Sequence, residues 1–257
     1  MPRVKKAQHN SNTSPPQPCD APFPYEDYVR ARTTLNKALK GGCFYALLTG
    51  ASGMGKTALL GELARGLDRH RYNLVYLASA NINLVSIVRL LANRLRVGAR
   101  RSYLETVDII AETISTQPVH MLLWLDEADQ LDVKTLHEIR TLAENKLDAK
   151  QLLTVIFSGL PELAQKIEAP ALFPLRRRIA RRCTLSGLRR DVLEPFILHR
   201  FGQRDAQRGP AQVSEVLFER SQGPPGLSDR VVRHALADER KNLDADSVRA
   251  ILDNHGL

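Results

Sequence analysis

Cysteine is scarce: Cys19, Cys43 and Cys183 are the only three in 257 residues. Their number is odd and their spacing builds no disulfide framework, zinc site or redox motif. A reducing cytoplasm with buried or spare thiols is the expectation. Long apolar runs are missing too. None approaches the ~18 residues of a membrane span, and no signal-like apolar segment follows the N-terminus, so no membrane insertion is expected. Aromatic residues make up 5% of the chain, with one tryptophan. None interleaves with basic residues as a base-stacking surface requires. Acidic side chains are the minority charge, 28 against 37 Lys and Arg, for a net charge of +9. That balance suits a polyanionic partner, although it serves solubility equally well.

What is present starts at residue 50. Gly50-Ala51-Ser52-Gly53-Met54-Gly55-Lys56-Thr57 fits the phosphate-loop pattern G-x-x-x-x-G-K-[ST]. A strand-like run, Phe44 to Thr49, precedes it, and a helix-favouring run, Ala58 to Leu67, follows. The glycines let the backbone wrap a polyphosphate with its N–H groups inward, and the following helix adds the positive end of its dipole. Lys56 is placed to reach the β- and γ-phosphates, and the Thr57 hydroxyl to coordinate Mg²⁺.

A second motif adds hydrolytic chemistry. Met121 to Leu125 is a continuous apolar run, as expected of a strand buried on both faces of a parallel sheet, and it ends in Asp126-Glu127-Ala128-Asp129. Asp126 suits Mg²⁺ held through water, and Glu127 suits the polarisation of an attacking water. The letters D-E-A-D also occur in helicases. A chain of 257 residues leaves no room for a second motor domain of ordinary size, and no other helicase motif is present.

Along the chain, residues 1–22 are expected to be a disordered basic tail. Residues 23–187 are expected to alternate strands with helices, which indicates a parallel sheet covered on both faces. Strands are predicted at 44–49, 74–79, 121–126, 152–158 and 183–185. Beyond Gly187 the pattern is purely helical, with segments 188–202, 212–221, 227–240 and 245–254 forming a small C-terminal domain.

The whole pattern resembles the AAA+ ATPases, in particular the branch of ExeA-type proteins and the transposition regulators TnsC, TniB and MuB. Four stretches carry the resemblance: LLTGASGMGKT ending at Thr57, LLWLDEADQL at 122–131, LLTVIFSGLPEL at 152–163 and LFPLRRRIARRCTLSGL at 172–188. It covers about residues 23–257. It implies a phosphate-loop α/β fold with a five-stranded parallel sheet, the Asp126 strand two places from the phosphate-loop strand, and a C-terminal helical lid. By the same resemblance Gly50 to Thr57 and Asp126 bind ATP and Mg²⁺, and Glu127 positions water. Arg178 would reach a neighbouring subunit's ATP as an arginine finger. Its other reading is a surface charge in a basic run, and Arg176, Arg177, Arg181 and Arg182 leave the choice open.

Two departures bear on rate. Relatives commonly carry a polar γ-phosphate sensor at the position of Leu160, where only Ser158 offers a weak substitute. The lid motif Gly-x-Pro-Arg reads Gly223-Pro224-Pro225-Gly226 here, so its arginine is missing unless Arg230 or Arg233 replaces it. Slow hydrolysis is the expectation. For DNA, the resemblance places Arg100 and Arg101, with Asn81 and Asn83 in a neighbouring loop, toward the centre of an oligomer. Arginine and amide side chains there suit backbone contacts to duplex DNA; a solvated helix end is the alternative. The leading function is an ATP-dependent ring or helical self-assembly on double-stranded DNA that selects target sites or activates a transposase. The alternatives are an ExeA-like ATPase serving secretion or envelope assembly, and a weakly hydrolysing, nucleotide-gated assembly module.

Overall fold

The computed structural model describes residues 22–42, 44–78, 82–98, 100–143, 153–201, 210–221, 223–237 and 245–254. The expected basic tail lies outside the described residues, apart from residue 22. Five parallel strands form one sheet: β1 (Tyr45–Gly50), β2 (Tyr72–Ala78), β3 (His120–Asp126), β4 (Leu153–Gly159) and β5 (Ile179–Leu185), in the order β2-β3-β4-β1-β5. The Asp126 strand, β3, is therefore separated from β1 by β4 alone, as expected. Helices α1 (Glu26–Lys40), α2 (Lys56–Arg65), α3 (Leu84–Leu95), α4 (Tyr103–Thr116), α5 (Val133–Ala143), α6 (Pro161–Ile167) and α7 (Phe173–Arg176) connect and cover the strands. Four more follow: α8 (Arg190–Phe201), α9 (Pro210–Ser221), α10 (Pro225–Ala237) and α11 (Ala245–Asn254).

The period of two in a strand sorts side chains between two apolar layers. Ala46, Leu48, Leu122, Trp124 and Ile156 face α1, α2 and the C-terminal helices. Tyr45, Leu47, Leu123, Leu125, Val155 and Phe157 face α3, α4, α5 and α6. Both faces of β1, β3 and β4 are thus covered, which explains their unbroken apolar runs. The edge strand β5 behaves differently. It starts at Ile179, four residues before the predicted Cys183, because Ala180, Arg181 and Arg182 are exposed and hide its pattern. Charged side chains on an edge also discourage pairing with another sheet.

Candidate nucleotide site

The C-terminal ends of β1, β3 and β4 open into a cleft of about 410 Å³. The loop after β1 makes its floor. Gly53 and Gly55 have φ of +76° and +88°, values that L side chains rarely adopt, and Gly55 caps α2. Gly50 is constrained by space instead: a Cβ there would stand 2.8 Å from the Leu185 carbonyl oxygen. Lys56 Nζ donates to the carbonyls of Gly50 (2.7 Å) and Ala51 (3.0 Å), which holds the ammonium across the loop. Burial lowers its pKa, against the opposing field of Asp126, Asp129 and Glu127.

Asp126 ends β3 at 4% exposure and is held from four directions. Its Oδ2 accepts from Thr57 Oγ1 and from the Tyr76 phenol, each at 2.9 Å. Its Oδ1 accepts from the Glu127 backbone N–H at 3.1 Å and from the Ser158 hydroxyl. The Tyr76 phenol is pushed up to about 12 by partial burial, its bond to Asp126, and the charges of Asp126 and Glu127. Glu127 lines the cleft with φ +53°. A left-handed conformation at a non-glycine residue costs on the order of 1–3 kcal/mol and concentrates at functional positions.

Asp129, a third acid from the same motif, joins this turn to the one after β4. Its Oδ1 accepts the Leu160 N–H at 2.9 Å, and Lys166 Nζ donates to the carbonyls of Asp129 and Leu131. Leu160 lines the cleft, so an apolar side chain stands at the expected sensor position. Ser158 is fully buried with its hydroxyl on Asp126. It braces that carboxylate and is not among the residues that line the cleft.

The C-terminal helices close the cleft through backbone. Gly226 N–H donates to the Gly53 carbonyl at 2.8 Å, and the Leu188 N–H donates to Gly223 at 2.8 Å. A Cβ at Gly226 would lie 2.9 Å from Gly53 O, so no arginine fits at this point of the motif without moving the lid. Arg230 is exposed and Arg233 pairs with Asp229 at 2.8 Å; neither lines the cleft. Across the loop tip, Tyr25 OH donates to the Met54 carbonyl at 2.9 Å. Beyond it lies a second hollow of about 420 Å³, lined by Tyr25, Gly187, Leu188, Val192 and Phe218 among others.

Arg178 sits in the turn between α7 and β5, away from this cleft, and donates to the Pro174 carbonyl at 3.1 Å. Its neighbours Arg176 and Arg182 both bind Glu168, at 2.8 and 2.9 Å. Arg100 and Arg101 are exposed just before α4, and the Arg100 N–H donates to Thr106 Oγ1 at 3.0 Å. Asn83 caps α3, its side-chain oxygen accepting from Ser86 N at 3.0 Å, a role the sequence reading did not assign. Asn81 lies outside the described residues. Tyr76, Asp129 and the backbone of Gly226 were missed as site residues. Only Asp129 carried a signal, through its place in the acidic motif.

The donors suit Mg²⁺. Thr57 and Asp126 offer hard oxygen atoms, and Mg²⁺ is held by one or two protein groups with water and phosphate oxygens. Among the described residues there is no cluster of three or more His, Cys, Asp or Glu side chains arranged to hold a metal by themselves. Among them, too, no helix is long and apolar enough to cross a membrane.

Comparison with known proteins agrees with this geometry. Residues 41–167 match a family model described as AAA domain. The chain is 25% identical over 181 residues to General secretion pathway protein A of Aeromonas hydrophila, covering 68% of this chain and 33% of that protein. It thus spans about a third of the length of that curated relative. The Aeropyrum pernix ORC2 protein, solved in ADPNP–ADP complexes, superposes with a TM-score of 0.63 at 17% identity, over 95% of this chain and 70% of that one. The Aeropyrum pernix ORC1 protein in complex with DNA gives 0.58 at 18% identity, over 88% and 64%. Residues 41–167 thus match an AAA domain model, and the five-stranded parallel sheet with its phosphate loop shares the AAA+ fold of those solved structures.

Proposed function

We propose that this chain is an ATPase that self-assembles on duplex DNA and there acts on a transposase or target-selection protein. One observation carries the catalytic part: Lys56, Thr57, Asp126 and Glu127 line a single cleft at the mouth of the phosphate loop. Bound Mg²⁺ would offset charge on the β- and γ-phosphate oxygens. Lys56 and the loop N–H groups bind the phosphates, Asp126 orients Thr57, and Glu127 holds the attacking water. We assign the base to the hollow beyond Met54, where Tyr25, Leu188, Val192 and Phe218 offer apolar surface beside the charged Glu26, Asp27, Arg189 and Arg190. Leu160 contributes no hydrogen bond to the γ-phosphate, and Gly226 brings no arginine; both favour slow turnover. Arg178 lies away from its own cleft, which suits a residue that completes a neighbour's site.

The net charge of +9, the exposed pair Arg100 and Arg101, and the likeness to a protein solved with DNA support the DNA part. The transposase rests on the resemblance of residues 152–163 and 172–188. A second reading, an ATPase of a secretion system, is favoured by the similarity to General secretion pathway protein A. Anisotropy of a labelled duplex, titrated at several salt concentrations with and without ATP, separates them. DNA assembly predicts ATP-dependent binding that falls steeply with salt and varies little with sequence. Replacing Arg100 and Arg101 by alanine should weaken it uniformly and flatten the salt dependence. Binding that ignores ATP, or that survives the double substitution, refutes the assignment of these arginines. No duplex binding at all leaves the secretion reading in place.

A further inference from the structure

Asp126 is the carboxylate on which the metal reading depends, and its hydrogen bonds show how it is held. A carboxylate offers about four lone-pair positions. Here four donors converge on it: Glu127 N–H and Ser158 on Oδ1, Thr57 and Tyr76 on Oδ2. Three belong to the immediate surroundings expected of such a site, namely the next residue, the adjacent central strand β4 and the phosphate loop. The fourth comes from β2, the edge strand opposite β5, and from a residue that stays 44% exposed. An exposed tyrosine on an edge strand gains little for the core from its hydroxyl. Its phenol meets the same oxygen as Thr57, the residue whose hydroxyl would be a direct metal ligand.

We propose that Tyr76 is a positioning residue for Mg²⁺: its hydroxyl fixes Oδ2 of Asp126 beside Thr57 and offers its own lone pairs to the hydration shell of the ion. A phenol donates one proton and still accepts, so it can hold the carboxylate and receive a proton from a metal-bound water together. Such outer partners orient metal-facing groups and commonly change metal affinity by about 10–100-fold when removed. Tyr76 is half-open to solvent, which places the expected effect near the lower end. The inference rests on reading the cleft as a nucleotide–Mg²⁺ site and adds a residue to it.

The test is Tyr76→Phe, which removes one oxygen and keeps the ring. A fluorescent mant-ATP is bound to the full chain while Mg²⁺ is titrated, and again in EDTA. The Mg²⁺ concentration at half-saturation is expected to rise about tenfold in the variant. Affinity for mant-ATP in EDTA is expected to match wild type, because the Tyr76 hydroxyl bonds to Asp126 and Tyr76 is not among the residues lining the cleft. A merely structural role would shift both measurements together, and that result overturns the proposal. An unchanged Mg²⁺ midpoint overturns it as well, and so does a lowered one, since the phenol would then compete with the ion. A wild-type protein that binds mant-ATP in neither condition overturns the nucleotide reading and this inference with it. A wild type that responds to Mg²⁺ beside an unaltered variant overturns the inference alone.

Discussion

Gly226 makes two physical effects compete with opposite signs. It is the second residue of α10, where replacing glycine by alanine ordinarily stabilises by about 0.5–1 kcal/mol through reduced backbone freedom in the unfolded chain. Its Cβ, however, would lie 2.9 Å from Gly53 O and 3.2 Å from Gly53 Cα, both backbone atoms that cannot rotate aside. Comfortable contact starts near about 3.5 Å, so the lid must retreat by roughly half an ångström. That movement stretches the 2.8 Å bond from Gly226 N–H to Gly53 O, a loss of about 1 kcal/mol, and adds a packing penalty of about 1–3 kcal/mol. The steric effect wins: Gly226→Ala is expected to destabilise by about 1–3 kcal/mol. Gly61 on α2 is the matched control, since its Cβ would meet only the end of Arg65 at 3.6 Å. Gly61→Ala should therefore stabilise by about 0.5–1 kcal/mol. Urea unfolding followed by the fluorescence of Trp124, buried at 1% exposure, reads both. If Gly226→Ala proves as stabilising as Gly61→Ala, the lid does not rest on the phosphate loop and the reasoning fails.

Lys56→Ala is expected to abolish mant-ATP binding and ATP-driven assembly, because among the described residues lining the cleft Lys56 supplies the positive charge; sedimentation with and without ATP checks this. Glu127→Gln should keep nucleotide affinity within about twofold while phosphate release falls about 10²–10⁴-fold, the range for a lost general base. Equal turnover would assign the water to another residue. Arg178→Ala should bind ATP normally and lose about 10³-fold in turnover. Mixing it with Glu127→Gln should restore part of the rate, since each supplies what the other lacks; turnover unaltered in Arg178→Ala alone would make it a surface charge.

The phosphate loop and the acidic motif were legible because each is contiguous: the glycines and lysine fall within the eight residues 50–57, and the acids within the four residues 126–129. The place of β3 two strands from β1 follows from the resemblance, and the two-layer sorting of Leu47 against Leu48 follows from alternation. What stayed hidden depends on atoms brought together from distant segments. Tyr76 reaches Asp126 only once β2 is registered against β3, with Ala78 opposite Asp126. Ser158 lies inside the fully buried strand β4 with its hydroxyl on Asp126, whereas Leu160 follows the strand and lines the cleft, a difference that only the strand's end point reveals. The missing lid arginine was visible as four letters, whereas the backbone contact of Gly226 with Gly53, which leaves no room for a side chain, needs the fold. The onset of β5 was obscured because an edge strand exposes arginines where a central strand buries leucines.

The shared apolar layer limits how this protein can move. Phe196, Ile197, Leu217, Val231 and Leu252 of the C-terminal helices belong to the same buried cluster as Leu35, Leu59 and Trp124 of the sheet and its α1–α2 cover. A hinged flap would need a wet seam to swing on, whereas among the described residues this cluster runs unbroken from the sheet to the C-terminal helices. Packed helices instead slide over one another by small amounts, keeping their contacts as they go. A nucleotide acting at Gly53 would therefore be felt at the outer surface as a short, stiff displacement. An assembly of such subunits would change its twist or pitch a little in every copy, rather than open any one of them.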